Sequence, residues 1–195
     1  FGAHVFDKDV STFAPLDNVP VPEGYLLGPG DTLDVLLFGK EQSRLNLVVD
    51  NEGVISFPRL GSITIAGLRF SEAKEMIEQR VRNQMIGTDV TISMGELRSI
   101  NVFIAGEVRT PGSYSISALS TLTQALYISG GVTKIGSLRA IELRRKGKKI
   151  AEFDLYDLFL KGDGSNDVRI SSGDVVFVPV VKSLVSIEGF VRRPA

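Results

Sequence analysis

Arg144, Arg145, Lys146, Lys148 and Lys149 place five cations within six consecutive positions. Such a cluster attracts a polyanion or an acidic neighbouring domain. The same residues at a hairpin tip would also serve as a solvated turn. Other residues that could do chemistry are sparse. The single histidine is His4, so the chain is poor material for a Ser-His-Asp arrangement or a histidine-based metal centre. Cysteine is absent, which removes disulfides, thiol catalysis and zinc sites built on sulfur. Gly28-Pro29-Gly30 lacks the Gly-Lys-Ser/Thr ending of a phosphate loop, and its proline removes a backbone donor, so it reads as a structural turn. Asp31 and Asp34, three apart at a strand start, point to different faces and make no acid/base pair. Asp31 is expected to accept hydrogen bonds from its own turn, and Asp174 holds the matching Gly-Asp position in the second half. Asp163-Gly164-Ser165-Asn166-Asp167 has calcium-like composition but lacks the 12-residue loop and closing glutamate, so it reads as a plain loop. The sequence thus implies no catalytic, metal or cofactor-binding residue.

The elements that must position these residues fit a 195-residue chain of one large or two small domains. Hydrophobic residues at 43% and charged residues at 23% are globular values, and no apolar run nears the roughly 20 residues of a membrane-spanning helix. The net charge of −1 argues against a dedicated nucleic-acid binder. The charge is divided unevenly. Residues 1–98 hold 9 Lys/Arg and 14 Asp/Glu, a net −5, whereas residues 99–195 hold 13 and 9, a net +4.

Residues 1–22, with Pro15, Pro20 and Pro22 and no periodicity, read as an extended arm. A first module is expected over 23–98. It begins with the Gly28–Asp31 turn and the strand Thr32–Phe38. Leu45–Val49 and Val54–Phe57 flank Asp50-Asn51-Glu52-Gly53 as a hairpin, and Ile63–Ala66 is a further strand. Ser71 is expected to cap a helix reaching Met85, with Ala73, Met76, Ile77, Val81 and Met85 on its apolar face. Gly87 ends it, and Val90–Met94 is the last strand. A second module is expected over 99–182. It runs through the strand Asn101–Ala105, the turn Thr110-Pro111-Gly112, and a helix capped by Ser120 or Thr121 and closed by Gly130-Gly131. The hairpin Ile141–Arg145 with Ile150–Phe153, a helical turn at Leu155–Leu160 and the β-branched run Val175–Val181 follow. That run reads as a central strand. The order implies an α+β fold.

An internal repeat links the two ends of this module. Val102–Gly112, VFIAGEVRTPG, and Val185–Ala195, VSIEGFVRRPA, agree without gaps at six of eleven positions. Gly106 and Gly189 sit where a bulge or close backbone approach needs no Cβ. Residues 183–195 are therefore expected to be the truncated start of a second copy of the domain, and the chain a piece of a longer protein. Leu184–Val191 is expected to be extended.

Tyr25-Leu26-Leu27-Gly28-Pro29-Gly30-Asp31 and the run Val48–Val81 resemble the polysaccharide-export domain. Val102–Tyr114, Leu122–Ile128, Gly130-Gly131 and Ser172-Gly173-Asp174 resemble a soluble-ligand-binding β-grasp domain. In this order they are similar to the outer-membrane polysaccharide export proteins of Gram-negative bacteria, over about Glu23–Ala195. The chain differs from full family members in lacking a lipid-anchoring cysteine and a carboxy-terminal membrane segment.

The resemblance implies a polysaccharide-export domain at 23–98, a β-grasp domain at 99–182, and a place at the periplasmic face of the outer membrane. It implies homo-oligomeric rings enclosing a conduit for capsular or exopolysaccharide, with an inner-membrane co-polymerase docking beneath. It implies neither nucleic acid nor cofactor, and no enzymatic activity. On this reading the basic cluster contacts an acidic polysaccharide or a neighbouring domain, and the uneven charge complements neighbours in the ring. The alternative is a periplasmic binding module for a small soluble ligand or saccharide, which would need a concave pocket with convergent polar groups. A carbohydrate-active enzyme would need two carboxylates about 5–10 Å apart across a groove, and no spacing in the sequence suggests them.

Overall fold

The computed structural model describes residues 21–22 and 24–183, which divide between Ser99 and Ile100 into two units. The expected arm over 1–22 lies outside the described residues apart from Val21 and Pro22, and His4 lies outside them as well. The partial repeat at 183–195 lies outside them from Leu184 onward.

In the first unit, strand β1 (Thr32–Gly39) alternates as a half-buried strand should. Leu33, Val35 and Leu37 are buried, while Leu36 and Phe38 are exposed. It is the centre of a three-stranded antiparallel sheet, between β2 (Ser43–Val48) and β5 (Thr88–Met94). A second, two-stranded sheet is the hairpin of β3 (Val54–Phe57) and β4 (Gly61–Thr64). Helix α1 (Phe70–Gln84) packs against β5. Its Ala73, Ile77 and Val81, four residues apart, form one fully buried stripe. Fully burying side chains such as Ile77 and Val81 contributes about 1.5–3 kcal/mol each.

Two expectations are corrected here. Asp50–Gly53 does not join a hairpin, because β2 pairs with β1 and β3 with β4. It is an Asx turn in which Asp50 Oδ1 accepts from the Glu52 and Val54 N–H groups, at 2.9 Å each, and passes the chain from one sheet to the other. Ser71 does not cap α1. The helix begins at Phe70 with Arg69 as its N-cap, two residues before Ser71, and the Glu72 carboxylate accepts from the Arg69 N–H at 2.9 Å. A carboxylate in the first turn satisfies an orphan donor and complements the helix dipole together.

The second unit carries β6 (Ser99–Gly106), β7 (Gly112–Ser117), helix α2 (Leu122–Ile128), β8 (Ile141–Arg145), β9 (Lys148–Phe153), a π-helical turn (Asp157–Lys161) and β10 (Val175–Val178). Its five strands form one sheet in the order β7-β6-β10-β8-β9. The β-branched strand β10 is central, parallel to β6 and antiparallel to β8. Thr121 is the N-cap of α2, and its N–H donates to Gln124 Oε1 at 3.1 Å. Gly130 and Gly131 end the helix in a Schellman arrangement, donating to the Tyr127 and Leu126 carbonyls. Leu122, Ala125 and Leu126 pack with Val102, Ile104, Leu143, Phe153, Val176 and Val178 in one core. Gly106 has φ +85°, and a Cβ there would run into the Val178 carbonyl, so the β6–β10 pairing requires glycine at this position. The chain is an α+β protein, with sheet and helix segregated within each unit.

Candidate functional site

The basic cluster sits on the β8–β9 hairpin. Lys146 and Gly147 both have positive φ, +50° and +78°, which is the two-residue turn favoured by twisted antiparallel strands. Strand alternation then separates Arg144 from Arg145. Arg144 stays on the face away from α2. Its Nε donates to Glu142 Oε2 at 2.8 Å, and its guanidinium lies 4.7 Å from the Phe177 ring centroid. A bulge between Leu143 and Arg144 in the β8–β9 ladder pairs Arg144 with Lys149 and Glu142 with Glu152. Lys149 and Glu152, three apart, therefore share one face and meet at 2.7 Å, and that hydrogen bond raises the Lys149 ammonium above its ordinary pKa.

Arg145 turns the other way. Its Nε and Nη2 donate to Asp174 Oδ1 and Oδ2 at 2.7 and 2.8 Å, and Nη2 also reaches Ser171 Oγ at 2.8 Å. The Asp174 carboxylate is fully buried and accepts from the Ser171 N–H at 2.8 Å. This bidentate pair raises the Arg145 guanidinium further above its usual pKa. Lys146 and Lys148 remain at the exposed tip, and among the described residues neither forms an ion pair. Three of the five cations thus already have carboxylate partners.

The first unit builds the same device. Asp31, also fully buried, accepts from the Gly28 N–H at 2.8 Å, as Asp174 does from the residue three before it. Its charge partner is Arg98, whose Nη1 reaches Asp31 Oδ2 at 2.5 Å and whose own N–H donates to Oδ1 at 3.0 Å. Tyr25 Oη donates to Oδ1 at 2.7 Å. Burial, and then the hydrogen bond to that carboxylate, push the Tyr25 phenol well above its ordinary value. Gly30 and Gly173, each preceding the aspartate, have φ +91° and +81°. Sequence reasoning found the Gly-Asp turns and the acceptor role of Asp31, but it missed both arginine partners. The repeated Gly-Asp before a buried strand was the available signal.

Asp34 lies away from Asp31, on the open face of the first sheet, where it accepts from Asn46 Nδ2 at 3.0 Å and faces Arg44 at 3.7 Å. A shallow groove of about 230 Å³ runs there, lined by Asp34, Val35, Leu36, Arg44, Thr91 and Ser93. In the 163–167 loop, Asp163 Oδ1 accepts from the Ser165 N–H at 2.9 Å, which holds this carboxyl below its usual range. Asp167 Oδ1 accepts from the Thr123 N–H at the start of α2.

Residues 19–95 match the family model described as "Polysaccharide biosynthesis/export protein", and residues 101–178 match the SLBB domain. The EPS I polysaccharide export outer membrane protein EpsA of Ralstonia nicotianae is 33% identical over 169 residues, covering 85% of this chain and 44% of that protein. The polysialic acid transport protein KpsD of Escherichia coli is 29% identical over 191 residues, covering 97% of this chain and 34% of that protein. The chain spans less than half the length of these curated relatives.

Proposed function

Because this chain belongs to the outer-membrane polysaccharide export protein family, we propose that it is a non-enzymatic part of a polysaccharide exporter at the periplasmic face of the outer membrane. The observation that carries the reading is the tandem of an export domain and an SLBB domain, in that order, over nearly the whole described chain. Its mechanism is geometric. The domains assemble side by side as a homo-oligomeric ring around a passage for capsular or exopolysaccharide, above an inner-membrane co-polymerase. A sliding polymer needs many weak contacts, since tight binding would stall it, as in ion conduction. The net −5 of residues 1–98 and net +4 of residues 99–195 favour contacts between unlike domains of neighbouring protomers. Within the basic cluster, Lys146 and Lys148 are the cations left for such a neighbour or for an acidic polymer. Arg144, Arg145 and Lys149 are engaged within their own domain.

The competing reading, a module for a small soluble ligand, has less support. The groove of about 230 Å³ is smaller than the roughly 300–1,000 Å³ typical of such sites. Deleting the gene in its host and restoring the full-length protein tests the proposal. Loss of surface and secreted polysaccharide on deletion, with recovery on restoration, is the expected outcome. Undiminished export in the deletion strain would overturn it.

A further inference from the structure

The face of the second sheet opposite α2 is built in rows. Pairing across β6, β10, β8 and β9 sets Phe103, Val175, Arg144 and Lys149 in one row, and Ala105, Phe177, Glu142 and Glu152 in the next. Phe103 is 47% exposed, and Val175 and Phe177 are half-buried beside it. On the flanking strand β7, Ser113 and Ser115 are exposed. The face therefore has an aromatic and aliphatic centre, hydroxyls on one side and a charged ladder on the other. The ladder holds two cations and two anions and is electrically balanced. Arg144 is held by Glu142 through both Nε and Nη2 and lies over the Phe177 ring, so its position on the face is fixed.

Size and composition decide what fits. Five strands about 4.8 Å apart and four residues deep give a face of roughly 250 Å². A stable protein–protein contact buries about 800 Å² on each partner. Interface centres are also depleted in Lys and Glu, whereas half of the paired positions here are charged. A short stretch of sugar chain is flat, about this size, apolar on its C–H faces and rimmed by hydroxyls that both donate and accept. The ladder supplies both kinds of partner, and its zero net charge gives no preference for a polyanion.

We infer that this face is a weak docking platform for an uncharged saccharide segment, with Phe103 as the stacking surface and Arg144, Lys149, Glu142 and Glu152 as hydroxyl partners. The inference rests on the exporter reading and assigns a contact surface within it. The basic tip at Lys146 and Lys148 is a separate feature.

Affinity gel electrophoresis of the full chain tests this, with dextran or hydroxyethylcellulose as neutral polymers and alginate as an acidic one. The neutral gels should retard the wild type. Phe103→Ala should raise the apparent dissociation constant at least threefold with the circular dichroism spectrum unchanged, and the double variant Lys146→Ala/Lys148→Ala should not. No retardation by either neutral polymer, retardation by alginate alone, or an unaffected Phe103→Ala would overturn the platform. Normal export in cells together with any of these results removes the platform and leaves the exporter reading standing. Failure of the deletion test removes that reading whatever the gels show.

Discussion

Arg145 and Asp174, 29 residues apart, are joined by two parallel hydrogen bonds of 2.7 and 2.8 Å, and the carboxylate they hold is fully buried. Asp174 sits immediately before β10, and its carbonyl accepts from the Phe103 N–H, so the pair fixes where the central strand enters the sheet. Removing the guanidinium would leave a buried carboxylate with the Ser171 N–H as its remaining donor. Arg145→Ala should therefore lower stability by about 2 kcal/mol, moderated because the Arg145 side chain is 41% exposed. Lys146→Ala and Lys148→Ala should stay within about 0.5 kcal/mol of wild type. Urea unfolding of the three variants checks the contrast, and equal effects would remove Arg145 from its structural role.

Tyr25 should report on the matching site in the first unit. Its folded pKa is raised by burial and by the Asp31 carboxylate, whereas the unfolded phenol titrates near 10. The neutral phenol's contribution is thus intact below about pH 10 and lost as pH rises above it, because the unfolded chain releases this proton first. Wild type should lose more stability than Tyr25→Phe between about pH 9 and 11. Parallel stability–pH curves for the two proteins would contradict this.

Gly106 should tolerate no side chain. Gly106→Ala combines a positive φ with a collision against the Val178 carbonyl on the central strand. The loss should be at least about 2 kcal/mol and confined to the second unit. Hydrogen exchange by domain checks this, and unchanged protection in β6 and β10 would count against the close approach.

Glu72 should matter to α1 through one bond to the Arg69 N–H. Glu72→Gln should keep most of the helix stability and Glu72→Ala should cost about 1 kcal/mol. Ser71→Ala should be close to neutral, since the N-cap is Arg69, two residues before it. Thermal unfolding of the three variants distinguishes these effects.

Local chemistry alone determined much of this protein. Alternation placed Leu33, Val35 and Leu37 inside and Leu36 and Phe38 outside, because a strand's side chains change face at every residue. Fourfold spacing wrote α1, Ser120-Thr121 and Gly130-Gly131 marked the ends of α2, with the fold choosing Thr121 as the cap, and the β-branched run announced a central strand. The Gly-Asp turns marked Asp31 as an acceptor. Long-range pairing decided the rest. Asp50–Gly53 has hairpin chemistry, yet its flanking strands find other partners, because a turn sets local direction and the sheet sets pairing. Alternation by itself puts Lys149 and Glu152 on opposite faces, and the bulge at the β8–β9 pairing reverses that. The five clustered cations looked alike in sequence. Folding gave Arg145 a buried carboxylate, Arg144 a ring and a glutamate, and left Lys146 and Lys148 at the tip. Coulomb partners depend on distance in space, and Arg145 and Asp174 come within 3 Å only when β10 inserts beside β8.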